Sequence, residues 1–456
     1  MRHLGPVLPV MLLISLLTLA RIATRAPTPR ADMVVWVFSD THTASFRDGG
    51  SDGRSLADTF RQQTGRTVDV QQLSFRAIEI RLLSMLLSPE SQRDVPDIVP
   101  IEISSVGKFF RAPVEDVGLL PLNSYLERRG WLARLLPARL APYSKHGVIF
   151  GVPHDVHPVA LAYRKDLFDQ AAVDIESAAT WPELHRLLAR YQQYWRDRGM
   201  PERNGIDLPR TSVDAIVMML LQRGVNLIDD REQIHFEDPR VAQVVAFYAR
   251  LVAGRDKVAA AAAGGSSANR DLVEGRFGAW LCPDWRSPQL QRYATGLAGK
   301  VRLRPLPRFD PGDAPTSTWG GTMFGIPRNC RDPDAAFALL EHLLLTDEAL
   351  AARARVGHIL PPMPDKWNLP AYDEPDPFWS GQKVGRFFAD LAPSVPHRYV
   401  TPFTQIAATE LNEVLAKAVA AADAGREAEL ESLCRTWLGS AAESLRRRVE
   451  FGRFER

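Results

Sequence analysis

A chain of 456 residues is too long for one compact hydrophobic core, so two lobes or domains are expected. Its 45% hydrophobic and 24% charged content is that of an ordinary globular protein in water, not of a disordered or membrane-embedded chain. With 56 basic against 54 acidic side chains no global field favours nucleic acid, and the widely spaced Cys282, Cys330 and Cys434 form no metal-type pair.

Arg2 and His3 precede an uncharged run over about residues 7–20. That length suits a signal-peptide core and is short for a bilayer span of about twenty residues. Residues 1–31 are therefore expected to be a signal peptide or an N-terminal tether, with small residues for cleavage at 18–20 or at Ala31 and no following cysteine for lipid attachment. The continuous apolar run 33–38 (MVVWVF) predicts a buried parallel strand, and Ser39-Asp40-Thr41-His42 follows at its carboxyl end, where open α/β sheets hold ligands. A helix through Leu56 and Phe60, a strand at Val68 and Val70, a helix through Ile78, Leu82 and Leu86, and a strand at 96–99 continue a βαβ alternation. Residues 100–105 (PIEISS) then follow at the same sheet edge.

Residues 151–191 are the most structured stretch. GVP closes one element, 159–163 is a compact apolar strand, and Thr180 with Glu183 forms a capping box with Pro182 in the first turn. Leu184, Leu187, Leu188 and Tyr191 then share one helical face. Helices follow over 213–221 and from Asp238-Pro239, and 259–269 (AAAAAGGSSAN) reads as a loose surface loop. Residues 274–280 lead to Cys282-Pro283-Asp284-Trp285; Trp319-Gly320-Gly321 precedes a strand over 322–326; Asp332-Pro333 caps a further helix. Helices over 406–420 and 427–447 close the chain, the second placing Cys434 among Leu430, Leu433, Trp437 and Leu438 as a buried thiol. No internal repeat is evident.

The GVP turn, the apolar step to Tyr163, Lys165-Asp166-Leu167-Phe168 and Thr180-Trp181-Pro182-Glu183-Leu184 occur in this order within about forty residues. Together with Trp36, Thr64-Gly65, the Pro96–Val99 phrase and Gly118-Leu119-Leu120-Pro121-Leu122-Asn123, they resemble extracellular solute-binding protein family 1, the maltodextrin-binding-like components of sugar ABC importers. The resemblance implies an α/β, two-lobed periplasmic-binding-protein fold of type II, each lobe a mainly parallel sheet flanked by helices. One lobe is expected over 32–156 and 307–350, the other over 158–302 and 351–456, with 301–307 (VRLRPLP) as the second interlobe crossing. It further implies an exported, periplasmic or extracytoplasmic monomer that captures a sugar between its lobes and delivers it to membrane permease subunits, with no catalysis and no cofactor. An exported carbohydrate-active enzyme and a membrane-tethered sensory module remain the alternatives.

A sugar site needs aromatic plates for C–H faces and planar charged groups for hydroxyls, because charge-assisted hydrogen bonds are the stronger ones. Asp40 aligns with a family position that binds hydroxyls and equally fits helix capping; Glu102 and Ser104 follow the third strand at that edge. Asp155 and His157 lie in the first crossing, where hinge hydrogen bonds explain them as well as ligand contact does. Trp285 occupies the place of a family stacking residue, and Trp319 is followed by Gly320 and Gly321, which let backbone amides approach a ligand. Arg398 and Tyr399 lie where family members complete the site, an exposed salt bridge being the other reading of the arginine. Trp36 and Trp181 are assigned to the core. No GxSxG, Walker, HExxH or CxxC pattern appears, and His154-Asp155-x-His157 is a poor metal motif, so no metal is expected.

Overall fold

The computed structural model describes residue 11 and residues 31–48, 54–87, 95–264, 266–356 and 359–454, with the side chains of 86–87, 266, 354–356 and 451–454 excepted. The expected signal peptide or tether lies outside them apart from Met11 and Ala31. Among the described residues no helix is long and apolar enough to cross a membrane.

Among the described residues twelve strands occur, in chain order β1 (Met33–Val37), β2 (Val68–Gln72), β3 (Val99–Glu102), β4 (Ser144–Lys145), β5 (Val148–Ile149), β6 (Val152–Pro153), β7 (Val159–Arg164), β8 (Asn204–Asp207), β9 (Ala259–Ala260), β10 (Phe277–Pro283), β11 (Val301–Arg304) and β12 (Thr322–Gly325). The first lobe is built on β1 parallel to β2, a parallel bridge from Val35 to Ile98, and the antiparallel set β3-β12-β6. The second lobe carries the five-stranded sheet β11-β7-β10-β8-β9. All six residues of β7 and all seven of β10 are buried, as apolar strands covered on both faces require.

The sheets are mixed, which corrects the expectation of mainly parallel ones. β7 runs antiparallel to both neighbours, and β12 to both of its own. These strands begin or end at a passage between lobes. A strand entering from such a passage is not held to the parallel direction that a right-handed helical crossover imposes.

Helices pack where the periodicity puts them. The Trp181–Arg196 helix opens with the full capping box: Glu183 N donates to Thr180 Oγ1 at 3.3 Å and Thr180 N donates to Glu183 Oε2 at 2.9 Å. The Pro239–Val252 helix is buried almost all round in the second lobe's core, and the Thr404–Asp423 and Leu430–Phe454 helices pack their apolar faces on it, with the Cys434 thiol inside. Trp36 and Trp181 are both core residues.

Several boundaries differ from expectation. β11 is an edge strand of the second lobe and not a crossing, because Val301–Arg304 pairs with β7. Leu306 joins the second lobe's core and Phe309 packs against it, while Leu350, Ala352 and Met363 join the first lobe's. Residues just before 307 thus pack with the second lobe and residues just after 350 with the first. Residues 259–269 are not a loose loop: Ala259–Ala260 pairs with β8, and the Ser266–Val273 helix begins seven residues after Ala259.

Candidate functional site

Residues 154–158, 318–321 and 359–363 run between the two cores and lie side by side. His154 N donates to Thr322 O at 2.9 Å and Val159 N to Ser317 O at 3.1 Å, while Leu360 N reaches Asp284 Oδ2 at 3.3 Å. Most of the backbone there is buried, so its polar groups need protein partners. A buried polar cluster supplies them. Arg139, fully buried, donates from Nε to Asp155 O, from Nη2 to Asp155 Oδ1 and from Nη1 to Thr318 Oγ1, each at 3.0 Å. Asp155 Oδ2 accepts from Thr322 N at 3.2 Å, and Arg353 Nη1 donates to His154 O at 2.6 Å.

His157 joins the two lobes through its ring. Nε2 lies 2.9 Å from Asp155 Oδ2 and Nδ1 lies 2.5 Å from Asp284 Oδ1, in a left-handed backbone conformation (φ 58°) uncommon outside glycine. Burial opposes its charge, but the two carboxylates outweigh burial and raise His157 to about 9. Burial likewise works against Asp155, yet His157, His154 and Arg139 hold its carboxyl well below the usual range. Burial, with Arg353 nearby, depresses His154 to about 4, and burial followed by His154 holds His42 well below its ordinary value. The two rings meet edge to face with centroids 4.5 Å apart.

Above this cluster a cleft of about 370 Å³ opens between the lobes, within the range of small-molecule sites. Nine of the eleven residues singled out from sequence line it: Glu102, Ser104, Asp155, His157, Trp285, Trp319, Gly320, Gly321 and Arg398. Asp155 and His157 are also the hinge bonds described above. Glu102 caps the Ile103–Phe109 helix, accepting from Ser104 N at 2.9 Å and from the Ser104 hydroxyl. Trp285 is half-buried and its Nε1 donates to Trp319 O at 2.9 Å, so the indole is fixed and has only ring surface to offer. At Gly320 (φ 87°) a Cβ would lie 3.2 Å from that Nε1. At Gly321 (φ 138°) it would lie 2.6 Å from Tyr143 Oη and overlap Arg139 Nη2. Arg398 is half-buried and makes no hydrogen bond or ion pair among the described residues; burial lowers it from its ordinary value, against the pull of Asp214 and Glu102.

Two expected residues stand apart. Asp40 does not line the cleft, although Ser39 and Thr41 do. It does not cap either, because Ser39 is the N-cap of the Asp40–Thr43 helix. Its carboxylate accepts from Gln72 Nε2 at 2.9 Å and, across the rim, from Tyr293 Oη of the other lobe at 3.4 Å. Asp40 and Trp285 therefore do not face one another across the gap. Tyr399 lines two flanking cavities instead. The sequence reading missed Asp284, which stands beside Trp285, and Arg139, His42, Asp214 and Gln289. His42 and Asp284 stand in the Ser39–His42 and Cys282–Trp285 stretches, whereas nothing local marks Arg139, whose partners lie 16 and 179 residues away.

Both His157 nitrogens are taken by carboxylates, which leaves neither for a metal or for proton transfer from a substrate. Residues 55–375 match the family described as bacterial extracellular solute-binding protein. An arabinooligosaccharide-binding protein of Halalkalibacterium halodurans is 22% identical over 391 residues, 84% of this chain and 83% of that one. Among solved structures, the sugar-binding protein MalE from Xanthomonas citri matches with a TM-score of 0.70 and 20% identity, over 93% of this chain and 99% of that one. A binding protein from B. animalis subsp. lactis, solved with beta-1,6-galactobiose, matches with a TM-score of 0.68 and 16% identity, over 91% and 98%.

Proposed function

The chain belongs to the bacterial extracellular solute-binding protein family, and from that premise we propose that it captures a sugar in the interlobe cleft and hands it to the transmembrane permease subunits of an ABC importer. The observation that carries the reading is the cleft lining. A fixed indole, an unpartnered guanidinium and carboxylates from both lobes converge on about 370 Å³. Trp285 has its N–H engaged, so it meets a ligand through its ring face, the contact that suits a sugar's C–H surface. Arg398, Asp214 and Glu102 carry the charge that grips hydroxyls. Ligand touching both lobes favours the closed form by its added affinity for that state.

In this reading the protein is exported, acts as a monomer outside the cytoplasm, and performs no covalent step. Its lobes extend over about 32–156 with 322–356 and about 158–317 with 364–454, residues 359–363 touching both. A thermal-shift panel of mono-, di- and oligosaccharides and polyol phosphates tests it, since a ligand bound only by the folded state raises the melting temperature. A sugar should do so, and Trp285→Ala should weaken that sugar's calorimetric affinity by about 1–3 kcal/mol. A panel in which no sugar raises the melting temperature defeats the proposal.

A further inference from the structure

Beside the cleft lies a second cavity of about 100 Å³, and Ser104, Asp214 and Arg398 line both. Beyond those three the wall is largely apolar. Val217, Leu220 and Leu221 of the Val213–Gln222 helix, Ile228, and Ala407 and Ala408 of the Thr404–Asp423 helix face it. Protein interiors are close-packed and helix pairs normally close such gaps; here the two alanines opposite the helix-borne valine and leucines leave the space open. Its mouth is fixed, because Tyr399 N donates to Asn226 Oδ1 at 3.0 Å and Asn226 Nδ2 donates to His397 O at 3.1 Å, pinning the backbone on both sides of Arg398.

We propose that the ligand of the cleft is a sugar bearing an apolar substituent, a short alkyl or acyl group, which enters this annex while Arg398 and Asp214 at the junction hold the adjoining hydroxyls. The inference rests on the cleft being the sugar site. An apolar cavity of about 150 Å³ takes benzene, so the annex suits about four or five carbon atoms. Each methylene moved from water into apolar surroundings is worth about fourfold in affinity.

Isothermal titration of the whole chain with methyl and butyl glycosides of arabinose, galactose and glucose, and with the corresponding plain disaccharides, tests it. For the sugar that binds, the butyl glycoside should bind at least about tenfold tighter than the methyl one. In Ala408→Leu, which fills the annex, that gain should fall to about twofold. Val217→Leu fills it from the facing helix, and the ligand-free melting temperature of each variant checks that it is folded. Equal affinity for butyl and methyl glycosides, or a gain that survives both folded variants, overturns the annex and leaves the sugar reading standing. Failure of every glycoside and disaccharide to bind overturns the annex, and the sugar reading falls with it when no sugar of the wider panel raises the melting temperature either.

Discussion

His157→Gln removes the one ring that bridges the carboxylates of the two lobes, and its effect should be read in pH dependence. The folded protein holds His157 at about 9 against an ordinary value of 6.5. Below 6.5 both the folded and unfolded chains carry the proton and the stabilisation is fully present. Between 6.5 and about 9 only the folded chain does, so stability falls as pH rises, by about 1.4 kcal/mol per pH unit and about 3 kcal/mol in all. On the acid side the sign reverses for other groups. His154 is held down at about 4 and His42 is lowered too, so the unfolded chain takes up protons first and stability falls as pH drops below 6.5. The thiols of Cys282, Cys330 and Cys434, raised to about 12 by burial, add their own decline above pH 9 and close the useful window there. Urea midpoints measured from pH 5 to 9 should therefore peak near 6.5 in the native chain. In His157→Gln the alkaline slope should flatten while the acid limb persists. An alkaline slope unchanged by the substitution would refute the assignment of that limb to the Asp155–His157–Asp284 bridge.

Gly321→Ala should lower stability by at least about 2 kcal/mol in thermal unfolding, because its Cβ meets Arg139 and Tyr143 and displaces the partner of buried Asp155. Gly130→Ala, also at positive φ but in open space, should cost only about 1–2 kcal/mol, and equal losses would show that backbone strain alone is at work. Thr180→Ala removes one half of the capping box and should cost about 1 kcal/mol by urea denaturation. Asp40→Ala should change sugar affinity by less than about 1 kcal/mol in calorimetry, since the rim contact with Tyr293 is exposed and the cleft lining is untouched; a larger loss would return Asp40 to the ligand.

What was legible in the sequence was local or periodic. β1 and β7 announced themselves as apolar runs, and the Thr180 box fixed a helix start to the residue, because those signals depend on neighbours a few positions away. Glu102 and Ser104 could be placed because they follow a strand at the sheet edge that holds ligands, whereas Trp285 and Arg398 were placed by the family resemblance. Asp40 shows the limit of that rule: Ser39 and Thr41 reach the cleft, but the first turn of the following helix carries Asp40 out to the rim. The passage limits failed for a different reason. Leu306 reads the same whether it packs on one lobe or bridges to another, and only the long-range pairing of β11 with β7 decides. Arg139 stayed hidden likewise, since a buried guanidinium is recognisable only once Asp155 and Thr318 are brought to it.

The hinge cluster and the cleft are one object seen from two sides, and this bears on how a ligand would act. Asp155 and His157 both line the cleft floor and tie the passages together, and each already has partners from the protein. They set the geometry and have little left to give a ligand. Arg398 is the opposite case: five N–H donors, half-buried, with no acceptor among the described residues. Lobes drawn over an empty cleft would take that guanidinium out of water with no acceptor in place, and a buried donor left unmade costs about 1–3 kcal/mol. Hydroxyls supplied by a ligand remove the penalty only when the lobes are together. That difference between the two states, more than the strength of any one contact, is what would make closure depend on the sugar.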